Sequence, residues 1–157
     1  SNGYSLVRLI LENSLFNYNS TIPGSDITLA QELITPTKIY VKTALALKKT
    51  GILKALAHVT GGGISENLPR VLPAGLSASI NLNSWKTPAI FKWLFRQSQI
   101  DPKEFLKTFN CGVGMIAIVG KDNLSQAIEV LYEQGEKFQV IGKVIEGTKI
   151  TYSGEIL

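Results

Sequence analysis

The chain has 157 residues, of which 45% are hydrophobic, and this size and composition suit one domain with a sizeable core. Its net charge of +4 comes from lysines and a few arginines that are scattered along the chain and form no basic tail. This distribution argues against binding to a nucleic acid and favours small phosphorylated ligands. No apolar run approaches the length of a membrane span, and no signal peptide is predicted, because the first residues carry no basic flank leading into an apolar stretch. The single cysteine excludes an internal disulfide and favours a cytoplasmic location.

Hydrophobic periodicity and turn residues predict helices and strands that alternate along the chain. In chain order these are a helix over 4–15, a short helix ending at Leu33, a helix over 38–50, a buried strand at 54–60, a strand at 76–82, helices over 88–98 and 102–108, a buried strand at 113–120, a helix over 123–135, and a closing pair of strands at 138–147 and 149–154. This order predicts an α/β or α+β class with helices packed on a mixed sheet.

Turn and cap residues give the expected ends of these elements. Ser25 or Asp26 is predicted to cap the second helix, and Pro36 to lie in the first turn of the third. Gly51 and Gly135 are predicted to end helices. The closing strands are expected to be joined through residues 146–148.

The opening residues enter a helical pattern almost at once and lack an initiator methionine. Charged residues are only 18% of the chain, so part of the surface is expected to be covered by another domain or subunit. We therefore expect the chain to begin inside a larger protein.

A run of three glycines, within Thr60–Gly63, follows the first buried strand and precedes a short helix. Glycine lets backbone N–H groups approach a ligand closely, and the first N–H groups of a helix are unpaired. The segment therefore fits an anion site, although it lacks the Walker A and G-x-G-x-x-G patterns. A tight bend is an equal alternative.

His58 and Arg70 flank this glycine loop. Histidine is the side chain best suited to acid–base chemistry near neutral pH, and His58 stands at the end of a predicted strand, where ligand sites of α/β proteins gather. A hydrogen-bonded core histidine is the alternative. Arg70 suits bidentate contact with phosphate, or an ion pair with Glu66 four residues earlier.

A second glycine-rich segment, residues 108–115, lies at another strand boundary and contains Cys111. Nothing near Cys111 in the sequence favours a lowered thiol pKa, so an inert buried cysteine is expected. The carboxylates are scattered and no His/Cys cluster is present, so no metal ligand is predicted, and Mg²⁺ ligands would come from elsewhere.

Five stretches, taken together and in order, resemble the C-terminal domain of aminoimidazole ribonucleotide synthetase, also called phosphoribosylformylglycinamidine cyclo-ligase. They are SNGYSLVR (1–8), LITPTKIYVK (33–42), LAHVTGGGISENLPRVLP (56–73), W-x-x-P-x-I-F-x-W-L (85–94) and EFLKTFNCGVGM (104–115). The last forty residues match in pattern only.

The resemblance implies an ATP-dependent ligase of de novo purine biosynthesis, which converts formylglycinamidine ribonucleotide to aminoimidazole ribonucleotide with release of ADP and phosphate. It implies that residues 1–157 form a single C-terminal domain, a three-layer α/β/α structure with a partly ferredoxin-like topology. The missing N-terminal domain would form the homodimer and supply much of the ATP and Mg²⁺ binding. The active site would lie in the cleft between the two domains, so the chain alone is expected to be inactive.

The resemblance also implies which residues border that cleft. His58 would position the substrate or transfer a proton. The other residues implied to bind substrate or phosphate are Ser1, Asn2, Gly3, Thr60, Gly61, Gly62, Gly63, Asn67, Arg70, Asn110, Gly112 and Gly114. Ala74, Asn81 and Asn83 depart from the family's usual residues.

Two alternatives stay open. The first is another member of the same ATP-dependent superfamily, such as formylglycinamidine synthetase, selenophosphate synthetase, thiamine-phosphate kinase or a hydrogenase maturation factor. The second is a non-catalytic module that binds phosphorylated ligands or RNA.

Overall fold

The structure is a computed structural model, and it describes residues 2–155. Its helices are α1 (Tyr4–Glu12), α2 (Leu29–Ile34), α3 (Val41–Lys49), α4 (Gly63–Asn67), α5 (Ala89–Ser98), α6 (Pro102–Thr108) and α7 (Leu124–Glu133). Its strands are β1 (Leu53–His58), β2 (Leu76–Asn81), β3 (Met115–Val119), β4 (Gly142–Glu146) and β5 (Thr151–Ser153). Short 3-10 helices cover Pro69–Val71, Leu82–Ser84 and Lys121–Asn123.

The strands form two sheets. β1 pairs antiparallel with β3, and His58 lies opposite Met115 at the end of that ladder. β2 is the central strand of a mixed sheet, antiparallel to β4 and parallel to β5. The predicted α+β class with a mixed sheet is confirmed, although the sheet was expected to be single.

The closing strands β4 and β5 do not pair with each other, contrary to the expected hairpin, because β2 lies between them. β4 can approach β2 closely at Gly142, where a Cβ atom would lie 2.1 Å from the Ser79 carbonyl oxygen. The crossover to β5 is fixed where the Gly147 N–H donates to the Gly75 carbonyl at 3.0 Å. Ala78 and Ile80 of β2 are buried, so the central position suits its side chains.

Two helix starts also differ from expectation. Thr28, rather than Ser25 or Asp26, caps α2, and Gln31 completes a capping box with it. α3 begins after Tyr40, so Pro36 lies in an irregular segment before the helix. This irregular segment covers residues 35–40. Pro36 disfavours helical geometry at Thr35, where α2 ends.

The predicted helix ends at Gly51 and Gly135 are confirmed. These glycines follow α3 and α7 and have φ values of +74° and +68°. Glycine adopts this left-handed conformation without the steric penalty of a Cβ atom.

The main core lies among α1, α2, α5 and α6. Its most deeply buried side chains include Phe105, Leu29, Leu94 and Cys111. A second cluster consists of aliphatic side chains from β1, β2, β3 and the α4 region, among them Ile64. Across residues 2–155, no helix is long and apolar enough to cross a membrane.

Candidate functional site

A cavity of about 350 Å³ lies where the 35–40 segment passes the end of β1. We call it the first cavity. Its lining residues are Asn2, Tyr4, Val7, Glu32, Leu33, Thr35, Pro36, Thr37, Lys38, Tyr40, His58, Val59, Ile90, Phe91, Leu94, Phe109, Asn110, Gly112 and Gly114. Segments far apart in the sequence therefore share one surface.

His58 reaches this surface from the last position of β1, where its side chain is exposed rather than packed in the core. Its ring meets the Tyr40 ring edge to face, with centroids 6.0 Å apart. Gly114 also lies against Tyr40, and a Cβ atom there would come within 2.1 Å of the phenol oxygen. Burial raises the pKa of Tyr40, against a smaller lowering by Lys38. Tyr40 is therefore a neutral hydroxyl beside the imidazole.

Glu136, which follows α7, attaches to the 35–40 segment and the start of α3 through its carboxylate. Lys38 Nζ pairs with Glu136 Oε2, and the Thr43 hydroxyl donates to Glu136 Oε1 at 2.7 Å. These two hydrogen bonds lower the pKa of Glu136, and they hold the 35–40 segment and the start of α3 against the residues that follow α7.

The opening residues contribute Asn2 to the first cavity. Its side-chain amide donates to the Thr108 carbonyl at 2.7 Å and lies beside Gly61. Gly3 has φ +76° and packs so closely on the Phe109 ring that a Cβ atom would lie 2.5 Å from it. Ser1 lies outside the described residues.

The second glycine segment forms a tight loop on the wall of the first cavity. Asn110 Oδ1 accepts the Gly112 N–H at 3.0 Å, and its amide nitrogen donates to the Val59 carbonyl at 3.3 Å. Gly112 has φ +99° and lies against the Pro88 ring. The loop thus ties the end of β1 to the start of α5.

The first glycine loop does not line the cavity. The Gly63 N–H donates to the Thr60 carbonyl at 3.1 Å, so this amide is already used. Gly62 has φ +92°, and a Cβ atom on Gly63 would lie 1.9 Å from the Leu106 carbonyl oxygen. The loop is therefore a tight bend that brings α4 against α6, and its role in binding phosphate stays a prediction.

Asn67 and Arg70 lie behind this loop, away from the first cavity. The buried Asn67 amide donates to the Gly61 and Gly63 carbonyls at 2.9 and 2.8 Å. Arg70 Nη1 donates to Asn67 Oδ1 at 3.4 Å, and Nη2 lies 3.9 Å from Glu66 Oε2. Asn67 supports the loop from within, and Arg70 makes the ion pair that its spacing from Glu66 permits.

Within residues 2–155, Cys111 is not suited to act as a nucleophile, and no group of side chains is suited to hold a metal ion. Cys111 is 1% exposed, and burial raises its pKa to about 12. Glu32 is the single carboxylate among the described lining residues of the first cavity, and residues 2–155 hold no cluster of three His, Cys, Asp or Glu side chains. This donor set does not fit Mg²⁺, which prefers several oxygen ligands.

Sequence reasoning missed Tyr40 and Lys38 as site residues. Both belong to the LITPTKIYVK stretch, but a helix expected to start near Pro36 gives no sign of the irregular segment that places Tyr40 against His58 and Lys38 against Glu136.

Residues 1–154 match a protein family described as AIR synthase related protein, C-terminal domain. The chain belongs to this family.

Other chains with this domain's architecture are known. The thiamine-monophosphate kinase of Stenotrophomonas maltophilia K279a is similar with a TM-score of 0.64 and 15% identity, over 98% of this chain and 47% of that one. The hydrogenase maturation protein HypE of E. coli is similar with a TM-score of 0.60 and 16% identity, over 98% of this chain and 43% of that one. At these identities the likeness shows the fold alone, and this AIR synthase related domain spans less than half of either protein.

Proposed function

We propose that this chain is the C-terminal half of an ATP-dependent cyclo-ligase that converts formylglycinamidine ribonucleotide to aminoimidazole ribonucleotide, ADP and phosphate. The observation that carries the proposal is that several of the family-like stretches meet at the first cavity. Asn2, Tyr40, His58 and Asn110 come from four of them. A surface that gathers such distant residues suits a substrate whose parts need separate contacts.

ATP, when bound, would supply the phosphoryl group that turns the formyl amide oxygen into a leaving group. The amidine nitrogen then attacks that carbon, and the ring closes with loss of phosphate and a proton. In our proposal His58, exposed beside a neutral phenol, holds the substrate or accepts that proton. The Asn2 and Asn110 side chains would orient polar groups of the substrate.

The Mg²⁺ ligands are not among these residues, so we propose that an N-terminal half supplies them together with most of the ATP site. The same half would form the homodimer and the opposite wall of the cleft, in a cytoplasmic enzyme. The lengths of the similar kinase and maturation protein, about twice that of this chain, are consistent with such a partner half.

A second candidate is a kinase-like member of the same superfamily. The likeness to thiamine-monophosphate kinase over 98% of this chain favours it. In that case the first cavity would receive a phosphoryl acceptor rather than a substrate that cyclises.

The experiment assays the protein that carries both halves for ATP-dependent formation of aminoimidazole ribonucleotide, with thiamine monophosphate as a parallel substrate. Ring closure with the first substrate and no phosphorylation of the second is expected. The opposite result would replace the cyclo-ligase by the kinase. The chain alone should show neither activity.

Variants connect that activity to the first cavity. His58→Ala should lower kcat by roughly 100-fold or more if His58 transfers a proton, and should mainly raise KM if it only binds. Gly62→Val tests the first glycine loop, where φ +92° penalises any side chain. Tyr132→Ala, at a residue 80% exposed on α7, is the control that should leave the rate unchanged. If His58→Ala kept both the full rate and the KM of the unchanged protein, the assignment of the first cavity would be wrong. If Gly62→Val kept the full rate, the first glycine loop would have no part in the reaction.

A further inference from the structure

We propose that a second cavity, on the other side of α5, binds a small phosphate monoester whose organic part is flat and apolar. This cavity has a volume of about 320 Å³. Its lining residues are Phe16, Pro23, Gly24, Lys86, Thr87, Pro88, Ala89, Lys92, Trp93, Arg96 and Gln97.

The two cavities are separated by α5 itself. Ile90 and Leu94 line the first cavity, whereas Lys92, Trp93 and Arg96 line the second. The second cavity is therefore distinct from the proposed catalytic site and does not depend on its assignment.

Charge is the first argument for an anionic ligand. Lys86, Lys92 and Arg96 surround the second cavity, and no carboxylate lines it within the described part of the chain. None of the three pairs with a described Asp or Glu. Lys92 and Arg96 are four residues apart on α5, a spacing at which like charges repel. A bound phosphate would offset this repulsion and accept hydrogen bonds from all three side chains.

An unpaired buried donor is the second argument. Trp93 is 4% exposed, and its indole N–H is buried without a hydrogen-bond acceptor among residues 2–155. A buried donor without an acceptor is unfavourable. Trp93 lines the second cavity, so a small shift of this wall on binding would let the indole N–H donate to the ligand.

The walls define the rest of the ligand. The Phe16 ring meets Trp93 edge to face with centroids 5.3 Å apart, and the Pro23 and Pro88 rings lie on the same cavity. Such rigid apolar walls favour a flat ring or short apolar group. The volume is near the lower end for ligand pockets, which limits the ligand to a small molecule.

The test is an NMR titration of the full 157-residue chain with phenyl phosphate, in which the indole N–H signals of the two tryptophans are followed. The Trp93 signal, assigned by its loss in Trp93→Phe, should move and saturate. The Trp85 indole donates to the Cys111 carbonyl at 3.0 Å and should stay in place, so it is an internal reference.

Matched variants separate the site from general charge attraction. Lys92→Gln/Arg96→Gln should weaken phenyl phosphate binding at least tenfold, whereas Lys48→Gln/Lys49→Gln, which removes the same charge from the end of α3, should not. Inorganic phosphate should bind at least tenfold more weakly than phenyl phosphate.

Three results would overturn the proposal. The first is a Trp93 signal that does not respond to phenyl phosphate. The second is equal loss of binding in the two double variants. The third is that inorganic phosphate binds as tightly as phenyl phosphate, which would show that the apolar walls do not contribute to binding.

Discussion

Gly63 shows at the scale of one residue what the run of three glycines does. Its φ of +57° lies in the left-handed region, and a Cβ atom would lie 1.9 Å from the Leu106 carbonyl oxygen. Backbone cannot yield as a flexible side chain does, so α4 and α6 touch only because this residue has no side chain. Gly51 offers a comparison, since its φ is +74° but no atom lies within 4 Å of the same position.

We therefore expect Gly63→Ala to lower the free energy of unfolding by roughly 2–4 kcal/mol, from left-handed strain plus displacement of α6. Gly51→Ala carries the strain without the collision and should lower it by about 1 kcal/mol. Urea unfolding at 25 °C measures both. Equal losses would mean that α6 moves away freely, and that Gly63 is not required for packing.

The residues of the first cavity were partly visible in the sequence. His58 could be selected because it is the one histidine and stands at the end of a predicted strand, and Asn110 because it lies in a stretch that resembles the family. Tyr40 could not, since a tyrosine within a predicted helix has no distinguishing pattern. Its importance arises from the non-local approach of Gly114, which no local sequence signal reports.

At the scale of elements, the glycines that end helices were reliable signals, whereas two predicted helix starts and the pairing of the closing strands were wrong. Gly51 and Gly135 end helices because each adopts a positive φ, and glycine is the residue type that favours this conformation, so the helix ends can be predicted from the sequence. The order of β4, β2 and β5 depends instead on which strand buries its apolar face best, and the turn at residues 146–148 specifies only that the chain reverses. Nearest neighbours in sequence were therefore the wrong partners.

The contact between the 35–40 segment and the residues after α7 depends on one carboxylate, that of Glu136. Hydrogen bonds from Lys38 and then Thr43 lower the pKa of Glu136 below its ordinary value of 4.5. Because the folded state favours the ionised form, the stabilisation is complete above pH 4.5 and is lost as the pH falls through the lowered pKa.

We expect Glu136→Gln to reduce the free energy of unfolding by about 1 kcal/mol at pH 7, and by a steadily smaller amount as the pH falls below 4.5. Urea unfolding over that range measures the difference. Glu133→Gln removes an equal charge from an exposed position on α7 and should have little effect at any of these pH values. An effect of Glu136→Gln that did not shrink at low pH would show that the ionised carboxylate is not its source.

At the scale of the whole molecule, Cys111 reports on the integrity of the main core. It is 1% exposed within the cluster that contains Phe105 and Leu94. Burial raises its pKa to about 12, so the folded chain keeps the thiol protonated where an unfolded chain would begin to form thiolate. Stability should accordingly fall as the pH rises above about 9, because only the unfolded state then releases this proton.

The reaction of Cys111 with iodoacetamide at pH 8 should therefore require opening of the core. For a domain of ordinary stability we expect a rate at least ~10³-fold below that in 8 M urea. When reclosing is faster than alkylation, the rate follows the population of the open state. Gly63→Ala should then raise the rate by roughly 30- to 1000-fold, and Gly51→Ala by about fivefold, in line with their losses of stability. If neither variant raised it, the thiol would be reached through local opening of the loop around Gly112, and the core would not unfold as one unit.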